Sequence, residues 1–351
     1  MRERTRYRFA GCTFGMPCLL LALSASPAAQ HNQGDYEKGL AALKNEQFAD
    51  AANFFELADN ASPGKTDALL YAAKSNIRVQ NFEAAEKDLQ QFNASHPPLA
   101  DAYYLLGYVL QRLNKPQDSL AMYTKAASIA PPTGDDLKIA ALDYELLNDN
   151  PDAIHWLERA VEMEPGNIEA WYFLGRAYYT SSRLPDAQRA FERVLQIDPR
   201  DAKAENNMGL IYESGGKTDE ALAAYQSSIL WQQGNPHPSE QPYLNLGNLL
   251  LTLERTEESL APLEKAVELG KSNAQCHLRL GTAYMRLGRL EDAERQLQEA
   301  VRLDPNDAAA HYQLGRYYKQ IKKMGAAKVE FDRVAEIQST SVEKLKNRQK
   351  Q

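Results

Sequence analysis

The chain has 351 residues, 44% of them hydrophobic and 25% charged, with a formal net charge of −7. That composition supplies a substantial core and is unlike a disordered tail, while the acidic balance argues against nucleic-acid binding through bulk charge. Of three cysteines, Cys12 and Cys18 sit near the amino terminus and Cys276 stands alone, so neither a disulfide-built fold nor a cysteine-clustered zinc site is expected.

Residues 1–29 have the layout of an export signal. Arg2, Arg4, Arg6 and Arg8 form a basic start, residues 9–23 are mostly apolar, and Ser24, Ala25, Ser26, Pro27, Ala28 and Ala29 form a small-residue tail. Cleavage after Ala28 or Ala29 would leave Gln30 near the new terminus. Loss of four arginines and Glu3 would take the charge from −7 to −10. The alternative is an uncleaved anchor, but Gly11, Thr13, Gly15 and Pro17 interrupt a stretch short of the roughly 20 apolar residues of a span. No later segment approaches that length, so no stable span is expected once the leader is removed. The expected location is exported, periplasmic or secreted, in a bacterial envelope.

A period dominates the rest. Gly39, Gly107, Gly175, Gly209, Gly247, Gly281 and Gly315 are separated by multiples of 34 except for one step of 38, and Ala73 and Ala141 fill the gaps. Twelve residues after each comes a small residue, as in Ala51, Ser119 and Ala187. Four further on comes a large apolar one, as in Phe55, Tyr123 and Phe191. Nine units tile the chain as 32–65, 66–99, 100–133, 134–167, 168–201, 202–235, 240–273, 274–307 and 308–341. In the fifth, Trp171, Leu174 and Tyr178, then Ala187, Phe191, Val194 and Leu195, follow helical spacing. Asp198-Pro199 closes that unit, because a pre-proline residue disfavours helix. A helix-interior glycine costs about 1 kcal/mol against alanine, so recurrent glycines imply close packing of two helices. On this reading small residue faces small residue, bulky apolar neighbours fill the space around them, and Gly175→Leu or Ala187→Leu overpacks the seam by about 1–3 kcal/mol.

This pattern resembles the tetratricopeptide repeat, whose signature positions 4, 7, 8, 11, 20, 24 and 32 are occupied by Trp171, Leu174, Gly175, Tyr178, Ala187, Phe191 and Pro199. The resemblance covers residues 32–341 and implies an all-α fold, an α-α solenoid of stacked antiparallel helix pairs. Asp35 and Lys38, Asn76, Glu205 and Lys271 depart from the pattern. The first two suit a terminal repeat with a solvent-facing side.

Residues 32–235 would form units one to six and 240–341 units seven to nine. The insertion at 236–239, within the Pro- and Gly-rich stretch 232–242, reads as a loop or a kink between them. In the polar tail, 342–351, Thr340 and Glu343 could form a capping box for a short final helix. Gly216-Lys217-Thr218 lacks the upstream glycine of a phosphate-binding loop and reads as a turn. His277 and His311 share position 4 of adjacent units and read as seam packing, since two ligands do not complete a metal site. Cys276 and His277 are sequence neighbours on a helix and point apart. Neither a catalytic constellation nor a cofactor site emerges, and only 45 residues lie outside the repeats.

In tetratricopeptide proteins, positions 2, 5, 6, 9, 12 and 13 of the first helix commonly meet the ligand. Carried over, they nominate an aromatic stretch of Tyr104, Tyr108, Tyr172, Phe173 and Tyr179 with Arg176. An amide–guanidinium stretch follows: Asn206, Asn207, Asn245, Asn248, Arg279, Gln313 and Arg316. Tyrosines give contact area at low entropy cost, amides pair with peptide backbone and arginine grips carboxylates. The pattern lacks the family's chaperone-tail carboxylate clamp. The function expected is a non-enzymatic scaffold holding a protein or peptide, acidic in part, in a concave groove. The alternatives are a self-assembling envelope component (a homo-oligomer) and, more remotely, an enzyme or metal protein.

Overall fold

The computed structural model describes residues 27–64 and 66–348, with side chains over 34–64 and 66–340. Most of the expected export signal therefore lies outside the described residues. All regular structure among the described residues is α-helical, in eighteen helices that pair along the chain. The pairs are α1 (Pro27–Lys44) with α2 (Phe48–Ala61), α3 (Ala68–Arg78) with α4 (Phe82–Ser95), and α5 (Ala100–Arg112) with α6 (Pro116–Ala127). Next come α7 (Gly134–Leu146) with α8 (Asn150–Met163), α9 (Ile168–Thr180) with α10 (Leu184–Ile197), and α11 (Ala202–Ser214) with α12 (Thr218–Trp231). The last are α13 (Gln241–Thr252) with α14 (Thr256–Leu269), α15 (Ala274–Arg286) with α16 (Leu290–Leu303), and α17 (Ala308–Gln320) with α18 (Met324–Arg348). They fall into two compact units, one ending at Pro131 and the other beginning at Pro132. Within each, helix pairs stack in sequence as in an α-α solenoid.

One turn joins the helices of every pair. In the fifth, Ser182 is left-handed (φ 58°), its amide donates to the Tyr179 carbonyl and the Arg183 amide donates to the Tyr178 carbonyl. This is a Schellman ending, which answers the orphan carbonyls of the first helix and reverses the chain within three residues. The same left-handed position holds Glu46, Gln80, Asn114, Asn148, Gly216, Glu254, Gly288 and Lys322, so seven of nine are not glycine. Gly216-Lys217-Thr218 is accordingly one of these turns.

The in-register glycines have a more specific cause than small residues facing one another. A Cβ on Gly175 would sit 2.8 Å from Phe191 Cζ, one on Gly209 2.5 Å from Tyr225 Cε1, and one on Gly107 2.7 Å from Tyr123 Cε2. Each glycine is the seat for the large residue sixteen positions later. The small residue also approaches: Ser119 Oγ donates to the Gly107 carbonyl at 2.8 Å. The two repeats with alanine in the glycine place, Ala73 and Ala141, set leucine opposite, Leu89 and Leu157, as do the glycine repeats at Leu263 and Leu297.

Three junctions between neighbouring pairs are latched by a polar link. Tyr178 Oη donates to Glu158 Oε1 at 2.6 Å and Tyr284 Oη to Glu264 Oε1 at 2.8 Å. Asn76, at the same place, reaches Glu56 Oε1 at 3.4 Å and the buried Asp88 Oδ2 at 2.9 Å, so its departure from the apolar pattern answers a buried carboxylate. In these two pairs the residue after the left-handed position covers the tyrosine: Arg183 lies 4.4 Å from the Tyr178 ring centre and Arg289 4.3 Å from that of Tyr284.

The insertion after α12 is closed by the buried Gln232, which donates to the Ser239 carbonyl at 3.0 Å and accepts from its amide at 2.8 Å. The boundary between compact units lies elsewhere, at Pro131–Pro132. The expected short helix capped by Thr340 does not form. Helix α18 runs unbroken to Arg348, and Thr340 Oγ1 donates back to the Glu336 carbonyl at 3.0 Å. No proline or glycine follows Gly325 in this helix to stop it, and serine and threonine bond to the preceding turn instead.

Candidate functional site

In the second compact unit, from Pro132 on, α7, α9, α11, α13, α15 and α17 touch one another in succession, besides packing on their own partners. These first helices form one layer, and its open side carries most of the residues nominated from sequence.

Tyr172, Phe173, Arg176 and Asn207 come together. Tyr172 meets Phe173 edge-on (5.7 Å between ring centres) and Phe191 likewise (5.8 Å), while Asn207 Nδ2 donates to Tyr172 Oη at 3.4 Å. Arg176 is exposed and stands 5.8 Å from the Phe173 ring centre. Its charge draws down the Glu145 carboxyl, which burial nonetheless holds above the usual range. Asn207 also donates to the Lys203 carbonyl at 2.8 Å, which fixes the amide.

A second group surrounds a concavity of about 370 Å³ lined by Tyr179, Leu210, Glu213, Ser214, Asn245 and Asn248. Tyr179 Oη and Ser214 Oγ are 3.3 Å apart. Glu213 Oε2 accepts from Tyr225 Oη at 2.7 Å, and burial, then this carboxylate, push the phenol well above its ordinary pKa. The Asn248 Oδ1 is buried with no hydrogen-bond donor. Asn245 is largely withdrawn from the surface: its Nδ2 donates to Asn206 Oδ1 and its Oδ1 accepts from Gln241 Nε2, both at 2.9 Å. It joins α13 to α11 beside the insertion.

Arg279 and Arg316 are exposed and belong to neither group; Arg316 Nη1 donates to Gln313 Oε1 at 3.3 Å. Tyr104 and Tyr108 lie in the first compact unit, which ends at Pro131. Tyr104 Oη donates to the Ala130 carbonyl at 2.8 Å, and Tyr108 packs edge-on against Phe82 and accepts from Arg112 Nη1 at 3.3 Å. Selection by side-chain type passed over Leu210, Glu213 and Ser214, although they occupy positions 9, 12 and 13 of the sixth unit.

The remaining chemistry-bearing side chains are engaged in packing. His277 Nδ1 meets Gln296 Oε1 at 2.7 Å and His311 Nδ1 meets Glu330 Oε2 at 2.6 Å. Their Nε2 atoms bond the carbonyls of Lys271 and Pro305 at 3.0 and 3.1 Å. Trp171 Nε1 makes the same bond to the Pro165 carbonyl at 3.0 Å, so in these three repeats position 4 ties the repeat to the end of the one before. Glu205 has no proton to give there as a carboxylate, and burial raises its pKa. Cys276 is fully buried, and burial pushes its thiol up to about 12, which suppresses the reactive thiolate. Among the described residues no group of three or more His, Cys, Asp or Glu could hold a metal ion, and no helix is long and apolar enough to cross a membrane.

Models of the tetratricopeptide repeat match residues 67–98, 100–133, 147–206, 200–272, 281–321 and 308–341. No curated protein matches the sequence. Among solved structures, the chain is similar to the Cut9–Hcn1 hetero-tetramer of the APC/C at 18% identity and a TM-score of 0.59, over 80% of this chain and 54% of that one. It thus spans about half of that neighbour's length. It is also similar to a tetratricopeptide repeat protein from Parabacteroides merdae, with 18% identity and a TM-score of 0.59 over 72% and 98% of the two chains. The third is pilF of Pseudomonas aeruginosa, with 17% identity and a TM-score of 0.52 over 62% and 97%. Matched along most of its length and built of helix pairs of that design, the chain belongs to the tetratricopeptide repeat family.

Proposed function

We propose that this protein is an exported, non-enzymatic scaffold that holds a protein or peptide against the open side of its first helices. The observation that carries the reading is the concavity among α9, α11 and α13. Its six lining residues all stand at positions through which family members commonly meet ligands, and they bring carboxylate, hydroxyl, amide and aromatic groups to one place. The Tyr172–Phe173–Arg176 cluster extends the surface, and exposed Arg279 and Arg316 add charge suited to acidic groups of the same partner. A photo-cross-linking residue tests this at 172 or 248, compared with 189 or 295 on the second helices. Adducts with a partner from the inner positions alone support the reading; adducts from the outer positions alone refute it. For export, amino-terminal sequencing of the protein from its own cells should give a start near Gln30, and an intact Met1 would refute cleavage.

One feature favours a second reading, association of copies. Tyr312 stands in its pair as Tyr172 does, with ring centres 5.9 and 5.8 Å from Phe331 and Phe191, but it is 49% exposed at the last pair. Light scattering separates the readings: a stable oligomer whose formation Tyr312→Glu abolishes supports association, and a monomer at every concentration refutes it.

A further inference from the structure

We infer that the concavity among α9, α11 and α13 is a subsite for a basic side chain of the bound segment, a lysine ammonium or arginine guanidinium. The inference rests on the proposed docking face and assigns chemistry to one part of it.

The lining is rich in acceptors. Glu213 is exposed, uses Oε2 to accept from Tyr225 and has no lysine or arginine paired with it among the described residues. Tyr179 and Ser214 place two hydroxyl oxygens 3.3 Å apart, one of which keeps lone pairs for a new donor. The buried Asn248 Oδ1 has no donor. Neither a lysine nor an arginine is among the six lining residues. A carboxylate entering here would meet Glu213 with no counter-charge. A neutral apolar group would leave the carboxylate and the amide acceptor desolvated, which is the costly outcome for buried polar atoms. An ammonium or guanidinium brings donors and the compensating charge, and the Tyr179 ring adds an aromatic wall of the kind cations favour. The volume, about 370 Å³, accommodates the end of one such side chain.

The pocket also orders the surface by charge. Arg176, Arg279 and Arg316 are exposed on α9, α15 and α17, whereas the acceptor pocket lies between the first of these and the other two. A segment recognised along its length therefore carries a basic residue between acidic ones.

The test uses the full chain, isotopically labelled, and three probes: acetyl-Ala-Ala-Lys-Ala-Ala-amide and its counterparts with glutamate or norleucine at the centre. Each is titrated while the Ser214 backbone amide and the Asn248 side-chain amide are followed by NMR. The lysine probe should shift both signals saturably and at least tenfold more tightly than the other two. Glu213→Gln, which keeps an acceptor for Tyr225 but removes the charge, should weaken it at least tenfold. Ser214→Arg, on the exposed rim, should abolish the response by supplying a guanidinium from the protein itself. A glutamate or norleucine probe that binds as well as the lysine probe overturns the inference, as does lysine binding indifferent to Glu213→Gln. If the glutamate probe shifts signals near Arg279 and Arg316 while the lysine probe leaves Ser214 and Asn248 unmoved, the subsite fails and the docking face stands. If no probe moves any inner-face signal while the cross-links of the preceding section are also absent, the docking face itself fails.

Discussion

Replacing Gly209 by alanine isolates the packing rule on which the stack depends. In an unobstructed helix interior this change gains about 1 kcal/mol of propensity. Here the new Cβ would lie 2.5 and 2.6 Å from Tyr225 Cε1 and Cδ1, well inside van der Waals contact. The ring cannot simply swing aside: Tyr225 is fully buried, and its hydroxyl is anchored on Glu213 at 2.7 Å. Overpacking of this kind costs about 1–3 kcal/mol, and loosening a hydrogen bond to a carboxylate adds to it, so the net loss is about 1–2 kcal/mol. At about 2–4 °C per kcal/mol, calorimetry should show Tm falling by about 2–8 °C. Gly34→Ala is the control, because no atom lies within 4 Å of its Cβ; it should raise Tm. Ala73 and Ala141 face Leu89 and Leu157, so leucine and a Cβ are compatible at this seam in two repeats, while no repeat sets a ring opposite alanine. Tyr225→Leu added to Gly209→Ala should therefore cost less than the two single changes summed, the mark of coupled neighbours. If Gly209→Ala stabilised the protein as Gly34→Ala does, the ring-over-glycine account would be refuted.

Gln80 and Glu254 are exposed and left-handed at φ 61° and 60°, so Gln80→Gly or Glu254→Gly should each stabilise by about 0.5–1 kcal/mol in denaturant titrations; destabilisation would contradict the strain assigned to these turns. Asp88 is 4% exposed, and burial raises its carboxyl to about 6 from 3.8, with Glu56 and Asp59 adding to the rise and the Asn76 hydrogen bond opposing it. Because the folded state holds this proton more tightly than the unfolded one, the stability it contributes is full below about pH 4 and is lost as pH rises toward 6. Asp88→Asn should thus match the parent near pH 4 and exceed it by about 3 kcal/mol at pH 7; an advantage that does not grow with pH would refute the assignment.

The period of the glycines, the closing prolines and the apolar spacing make the helix pairs legible in the sequence, because each reports a local steric demand. The turns were less legible. Within the nine helix pairs glycine marks the left-handed position only at Gly216 and Gly288, and the other seven are held by a Schellman ending that tolerates Glu, Gln, Asn, Ser or Lys. The tightest contact of each glycine was not legible for a geometric reason: the large residue sixteen positions on, a ring in five cases and leucine at Leu263 and Leu297, reaches across the seam beyond the small residue twelve positions on. Thr340 and Glu343 match a capping box in letters, but an uninterrupted helix satisfies the same backbone groups without one. On the open face, position numbers nominated the right helices, whereas the state of a given side chain depended on its neighbours. Asn245 is consumed by Asn206 and Gln241, and Glu213 becomes prominent because no cation pairs with it among the described residues.

The docking surface itself is tested most directly by affinity capture from the native cells with the parent and with the triple variant Arg176→Glu, Arg279→Glu, Arg316→Glu. All three side chains are exposed, so the variant should melt within about 2 °C of the parent, as surface substitutions away from packing sites do. A partner retained by the parent and lost from the variant is the expected result. The same partner recovered from both in equal yield would contradict recognition through this face.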